Sequence, residues 1–447
     1  MPRQVTRRDV LTSGAVAGGF AIAGCVGRAD EGGDEEHDGH EGASDDEATE
    51  AGDRSNYEVW GLDQGTDTGY IYEPVGDGFE LVEEIDFHAF EGVTPNDEGA
   101  ITPHMISFSS DYAYAAIACT NAGQTLVFRT EDRELVGSCP TGPGTHFAGF
   151  TPDDAALQAD VIGEGTIARI DAHLEAGAEE FSISDRIVVD ENPVFDGRAD
   201  EFEPDEDGVR GRPICHDYTG TGYSYHTLGP GVDHSGIVIV DWEAFEVSEV
   251  IAPEQVRANC GTIAHPDDEK FYLTAGAPSN RPDGGVGEWY VFDANEHRPI
   301  DPETGEVVEG EYTHEDVARD SGGYDAHGFW FLDEELWIVN RETSDGLVID
   351  PQSDEVIEEI ETAKAPDIMW GSPDDEYVFV TLRGPEPLSG DPHAATGETP
   401  GLAVQHVDSR ETVEVLQPDE GNPESDFHAV GVRPLVEHDE DEDGFGA

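Results

Sequence analysis

Lysine is almost absent from this chain: Lys270 and Lys364 are the only two, and all other basic residues are arginines. Lys and Arg together number 22 against 101 Asp and Glu, a net charge of −79 at neutral pH. So small a basic complement argues against nucleic acid as a partner, because phosphate binding takes clustered cations. At low ionic strength the same imbalance makes the compact state repel itself. In molar salt the Debye length falls to about 3 Å and that repulsion is screened. Acid enrichment with loss of lysine is therefore read as adaptation to high salt. It also strips acidic pairs of site information, since each is most simply a solvated face.

Cysteine is scarce as well, at five residues, and none stands in C-x-x-C spacing. If Cys25 is modified, Cys119, Cys139, Cys215 and Cys260 remain, and four cysteines allow three disulfide pairings. Enzyme signatures are missing too. H-E-x-x-H, Walker A, the dinucleotide glycine fingerprint and the C-x-x-C-H haem site are not found. Gly222-Tyr223-Ser224-Tyr225-His226 fails the G-x-S-x-G pattern at its last position.

The apolar run from Val10 to Ala23 is too short and glycine-rich to span a bilayer, which takes about 20 apolar residues. It follows Arg7-Arg8 and precedes Ile22-Ala23-Gly24-Cys25. Cationic start, apolar stretch and small-residue cleavage site are the parts of an export signal. Residues 1–25 thus read as a twin-arginine lipoprotein signal, with Cys25 as the lipidated residue holding the protein to the outer face of the membrane. Residues 26–56, dominated by Asp, Glu, Gly and Ser, read as a disordered tether. They include His37 and His40, a candidate metal-gathering pair in an otherwise solvated linker. Residues 437–447 read as an acidic tail.

Between these ends a phrase recurs. An apolar strand meets a polar Asp turn, and alternating strands follow. Copies begin at Pro103-His104-Met105-Ile106 and at Thr145-His146-Phe147-Ala148, with turns Ser109-Ser110-Asp111 and Thr151-Pro152-Asp153-Asp154. Further turns are His265-Pro266-Asp267-Asp268, Leu332-Asp333-Glu334 and Ser372-Pro373-Asp374-Asp375. A later strand closes on Asp in Ile237–Asp241, Trp289–Asp293 and Leu347–Asp350. Units of roughly 40–50 residues with four short strands match propeller blades. Residues 191–212, 296–316 and 384–400 (with His393) read as loops that lengthen the spacing. One strand, Ala429–Arg433, remains at the C-terminal end, and three, within 57–85, precede the first anchor. Together they complete one blade and remove the open sheet edges. Residues 57–436 are therefore expected to form an all-β, seven-bladed β-propeller, four antiparallel strands per blade, closed by the C-terminal strand joining the N-terminal three.

At these residues the chain resembles the YVTN-type β-propellers, whose pattern is a Pro-His first strand, a Ser-Pro-Asp-Gly turn and a third strand ending in Ile-Asp. Here most turns lack the Gly, and Pro-His is complete only at Pro103-His104. The resemblance implies the fold and says little about function.

First strands line a propeller's channel, so equivalent positions form a ring. The anchors read His104, His146, Ile214, Cys260, His327, Asp367 and His428, with His216 expected to reach in beside Cys215. Imidazole, thiolate and carboxylate suit zinc or copper. The competing reading is a merely polar channel lining, and a small organic ligand would use the same groups. Propeller-type extracytoplasmic metallochaperones are similar in pairing a channel site with a His-bearing arm. The first functional reading is a non-enzymatic, lipid-anchored binding protein. A channel-based hydrolase (lactonase-like) or oxidoreductase, with Asp367 and Asp426 as candidate acids or bases, is the second, and a surface interaction scaffold is the third. No protein partner is identified by the sequence.

The charge balance generates a first prediction. The unfolding midpoint is expected to rise steadily as salt increases from about 0.1 M towards molar concentration, as the screening length shortens. A midpoint insensitive to salt would contradict the reading.

Overall fold

The computed structural model describes residues 56–435 apart from 206, 260, 268, 282–283, 333 and 389–394. The export signal, Cys25, the tether with His37 and His40, Cys260, His393 and the acidic tail lie outside the described residues.

Strands assemble into seven antiparallel sheets. Their innermost strands are Pro103–Phe108, Thr145–Phe150, Arg212–Tyr218, Thr262–Ala264, Ala326–Phe331, Pro366–Gly371 and Phe427–Pro434. We number the blades one to seven in that order. Six follow the chain, and the seventh is composite: Phe427–Pro434 pairs with Tyr57–Asp63, which continues into Thr68–Val75 and Gly78–Asp86. Blade four departs from the regular form. Its outermost strand is only Arg298–Pro299, and Arg319–Asp320 also pairs with its third strand, Val286–Asp293.

Each blade has two faces covered by neighbours, so middle strands bury nearly all of their residues, and some bury every one. Tyr114–Cys119, Ala156–Val161 and Tyr377–Leu382 are examples. Outer strands lose that cover, and in Glu355–Glu361 only Ile360 is buried. Apolar side chains collect in seven clusters, one at each blade interface. Blade seven meets blade one through Trp60, Leu62, Ile71, Ile106, Ile117 and Phe128.

The recurring Asp turn has a physical basis. Ser109, Thr151 and Ser372 each bond through the hydroxyl to the Asp two residues on, at 2.6–2.8 Å. The same hydroxyl accepts a backbone N–H from Tyr114, Ala156 or Tyr377. The next position is left-handed, with φ of 58° at Tyr112, 56° at Asp154 and 54° at Asp375. Glycine suits that conformation best, as in the YVTN-type turn, but Asp tolerates it. Asp154 gains from standing there: its carboxylate accepts the Ser110 N–H of blade one at 3.0 Å. The turn thus ties adjacent blades together.

Two of the cysteines, Cys119 and Cys139, are buried free thiols. Burial raises both thiol pKa values.

Trp60 anchors the composite blade. It stands opposite Gly431, is 1% exposed, and donates its indole N–H to Glu58 at 3.0 Å. Trp60→Ala is expected to destabilise the fold by about 3–5 kcal/mol, measured by denaturant unfolding in molar salt. Val413→Ala, at a rim position 56% exposed, should stay within about 0.5 kcal/mol of the parent. Equal effects would contradict the closure of the ring at Trp60.

Candidate functional site

The ring positions share a backbone device. In six inner strands the pairing register slips at the strand start: between Pro103 and Met105, Thr145 and Phe147, Pro213 and His216, Ala326 and Phe329, Pro366 and Met369, and beside Phe427 against Asp63. In five of them the bulged positions hold His104, His146, His327, Asp367 and His428. A β-bulge breaks the strict alternation of a strand and re-aims a side chain. Five blades thereby turn one imidazole or carboxylate each towards a common place in the channel.

There the groups meet. His104 Nε2 lies 3.0 Å from His146 Nε2, and the His104 and His428 rings stack at 3.6 Å between centroids. His327 Nε2 is 3.0 Å from one oxygen of Asp367, and His428 Nε2 is 3.6 Å from the other. The donor atoms of His327, Asp367 and His428 all fall within 4.8 Å of one another.

The surrounding hydrogen bonds assign the tautomers. Arg383 grips Asp426 with two nitrogens, each at 2.8 Å, and reaches Asp367 with the third, also at 2.8 Å. Burial pushes both carboxyls up, but charges outweigh it. Its imidazole neighbours and the permanent charges of Arg383 and Arg341 hold Asp367 well below the ordinary carboxylate range, and Arg383 lowers Asp426. Ionised Asp426 can only accept, so the Gln64 amide N–H donates to it at 2.7 Å. The amide oxygen then faces His104 Nδ1 at 2.7 Å, and that nitrogen carries the proton. His428 Nδ1 donates to the His104 carbonyl at 3.0 Å. Both rings therefore keep the Nε2 lone pair for the channel. Burial pushes the histidines towards the neutral form, with neighbouring imidazoles adding to it at His104 while Asp160 and Asp367 oppose it at His146 and His428: His104 falls well below the ordinary value, His146 to about 4 and His428 to about 3.

Blade three does not follow the expectation. Cys215, not Ile214, faces the cluster, with Sγ 3.5 Å from His146 Nδ1. His216 turns away, because neighbouring strand residues point to opposite faces. It bonds Asp160 at 2.6 Å, and His226 bonds the other Asp160 oxygen at 2.7 Å. These three donor groups also lie within 4.8 Å of one another. However, their remaining nitrogens are occupied, by Tyr218 for His216 and by Ser224 and Gln158 for His226. With all three side chains fully buried, the trio pins blade two to blade three.

Sequence reasoning missed Gln64, Cys215, Arg341 and Arg383. The two arginines had a signal: each follows the second strand of its blade directly, after Asn340 in blade five and Leu382 in blade six. Each binds an Asp that precedes an inner strand, Asp325 or Asp426.

The buried imidazoles generate a pH prediction. Their folded-state pKa values lie below the unfolded value of about 6.5. Their contribution is complete above that value and is lost as pH falls, through about 4 for His146 and about 3 for His428. The thermal midpoint of metal-free protein should fall between pH 7 and 4.5, and His428→Gln should make the fall shallower. A flat profile in the parent would contradict neutral burial.

Neither a protein-family model nor a curated protein matches the chain. Solved structures do. The periplasmic gluconolactonase of Pseudomonas aeruginosa is 12% identical with a TM-score of 0.56, over 86% of this chain and 100% of the other. A Lactobacillus plantarum protein is 12% identical with a TM-score of 0.52, over 85% and 99%. Apo AztD from Citrobacter koseri is 11% identical with a TM-score of 0.47, over 86% and 100%. At these identities likeness extends to fold alone, and the last falls too low to carry an argument. The fold is a seven-bladed β-propeller.

Proposed function

We propose that this protein is a binding protein, lipid-anchored outside the cell, that holds a transition-metal cation of the zinc or copper class in its channel. One observation carries the reading: two buried acceptors, His428 Nε2 and an Asp367 oxygen, face each other with no proton between them. His428 Nε2 has its lone pair free because Nδ1 donates elsewhere, and it faces an ionised Asp367 oxygen at 3.6 Å. That distance is too long for a hydrogen bond; Arg383 also donates to this Asp367 oxygen, and a cation between it and His428 Nε2 would engage both remaining lone pairs. His104 Nε2, 3.0 Å from His146 Nε2, adds a third lone pair beside them.

The residues fit such an ion. Ligands about 2.0–2.1 Å from a tetrahedral zinc stand about 3.3 Å apart. The separations here, 3.0 Å for His104 to His146 and for His327 to Asp367, and 3.6 Å for His428 to Asp367, bracket that value. Metal takes the neutral imidazole, which is the form that burial favours. Imidazole with carboxylate suits zinc and copper better than calcium or magnesium. Export and anchoring rest on Arg7-Arg8 and Cys25 in the sequence.

Binding is favoured over hydrolysis by the state of the carboxylates. A metal-dependent hydrolase needs an acid or base free to move a proton. Asp367 and Asp426 are both committed to Arg383.

Protein purified in molar salt is expected to bind about one equivalent of Zn(II) or copper, read by elemental analysis after dialysis. The combined variant His104→Ala, His146→Ala, His327→Ala should lose it while keeping its β-sheet circular dichroism. Unchanged metal content in a folded triple variant would overturn the assignment. Turnover of lactones or phosphoesters that disappears in the same variant would favour the enzyme reading instead.

A further inference from the structure

Gln64 touches neither the channel acceptors nor Asp367, yet it is 1% exposed and both ends of its amide are engaged. Its backbone is equally constrained. The Gln64 N–H donates to the Asp426 carbonyl at 3.0 Å. The preceding Asp63 accepts the Gly65 and Asp426 N–H groups at 3.0 and 2.8 Å and the Ser425 hydroxyl at 2.6 Å. The turn that carries Gln64 is thereby fixed to the segment that carries Asp426.

We propose that Gln64 is a positioning residue that selects which nitrogen His104 presents to the channel; its purpose rests on the cation-binding reading above. The chain of cause runs through four groups. Arg383 occupies both oxygens of Asp426 and keeps it an acceptor. Asp426 therefore draws the NH2 end of the Gln64 amide. Reversing the amide would set its oxygen against a carboxylate oxygen at the 2.7 Å now spanned by a hydrogen bond. The amide oxygen is left for His104 Nδ1, which must donate, and Nε2 keeps the lone pair.

Glutamine is the side chain this position needs. An amide of that length offers a donor at one end and an acceptor at the other, whereas a carboxylate offers acceptors only. The third nitrogen of Arg383 binds Asp367 directly. One guanidinium thus orients a carboxylate by contact and an imidazole at one remove. Outer partners of this kind set the tautomer and ring orientation of a ligating histidine.

The test reads the tautomer without requiring metal. Full-length protein labelled with 15N-histidine is held metal-free in molar salt, and long-range proton–nitrogen spectra are recorded for the parent, Gln64→Met and Gln64→Glu. The His104 signals are identified by their loss in His104→Ala. The parent should show His104 protonated at Nδ1 and bare at Nε2. Gln64→Met, which removes the acceptor, should move His104 towards the Nε2-protonated form. Gln64→Glu, which keeps an acceptor opposite Nδ1, should retain the parent tautomer. In competition titrations Zn(II) affinity should drop about 10–100-fold in Gln64→Met, and by less in Gln64→Glu.

An Nε2-protonated His104 in the parent, or an unchanged tautomer in Gln64→Met, overturns the proposal. If Gln64→Met does not fold, the parent and Gln64→Glu spectra still decide it: an Nε2-protonated His104 in either overturns it, and Nδ1 protonation in both supports it. A parent with the expected tautomer that binds neither Zn(II) nor copper supports the positioning role and removes the cation reading, so the two can fail separately.

Discussion

The pairing of Phe427–Pro434 with Tyr57–Asp63 is the constraint on which the rest of the molecule depends. A linear array of blades would expose two sheet edges and leave the first and last apolar faces uncovered. Joining the two ends of the chain in one blade removes both problems. The same pairing builds the site. It brings His428 against His104, from strands 324 residues apart, and Asp426 against Gln64, 362 residues apart. Gly431 permits the close approach, since a Cβ there would meet Phe108 at 2.8 Å. Ring closure and assembly of the channel cluster are one structural event.

The interior of this acidic protein spends its scarce cations in few places. Arg383 is fully buried between Asp367 and Asp426, and Arg341 is bound bidentately by Asp325 at 2.9 Å. Buried ion pairs are poor sources of stability, because desolvation offsets most of their attraction. Their geometry is what they contribute. Planar guanidinium groups hold carboxylates in fixed orientation, and those carboxylates set the protons on the amide and imidazoles beyond them. Such fixed polar groups surround the buried histidine cluster, with the ionised Asp367 supplying negative charge beside it.

The blade repeat was legible because it is written in local chemistry. Ser or Thr, then Asp two residues on, is a turn whose hydrogen bonds can be foreseen, and Phe427–Pro434 had no partner except the N-terminal strands. The histidine ring was legible for the same reason: His104, His146, His327 and His428 recur at one place in the repeat. Blade three failed at Ile214 because the bulge between Pro213 and His216 spans two residues and the second of them, not the first as in blades five and six, faces the channel. Alternation cannot say which of Ile214 and Cys215 faces the channel. His216 follows Cys215 on the strand and so takes the opposite face. Gln64 was illegible, because its role exists only once the ends of the chain meet. Cys260 and residues 1–55 lie outside the described residues.

X-ray absorption at the zinc edge, on protein loaded with one equivalent of Zn(II), tests the central claim most directly. The account predicts a first shell of nitrogen and oxygen at about 2.0–2.1 Å, with the outer-shell scattering of at least two imidazoles. A shell of oxygen alone, without imidazole scattering, would contradict it.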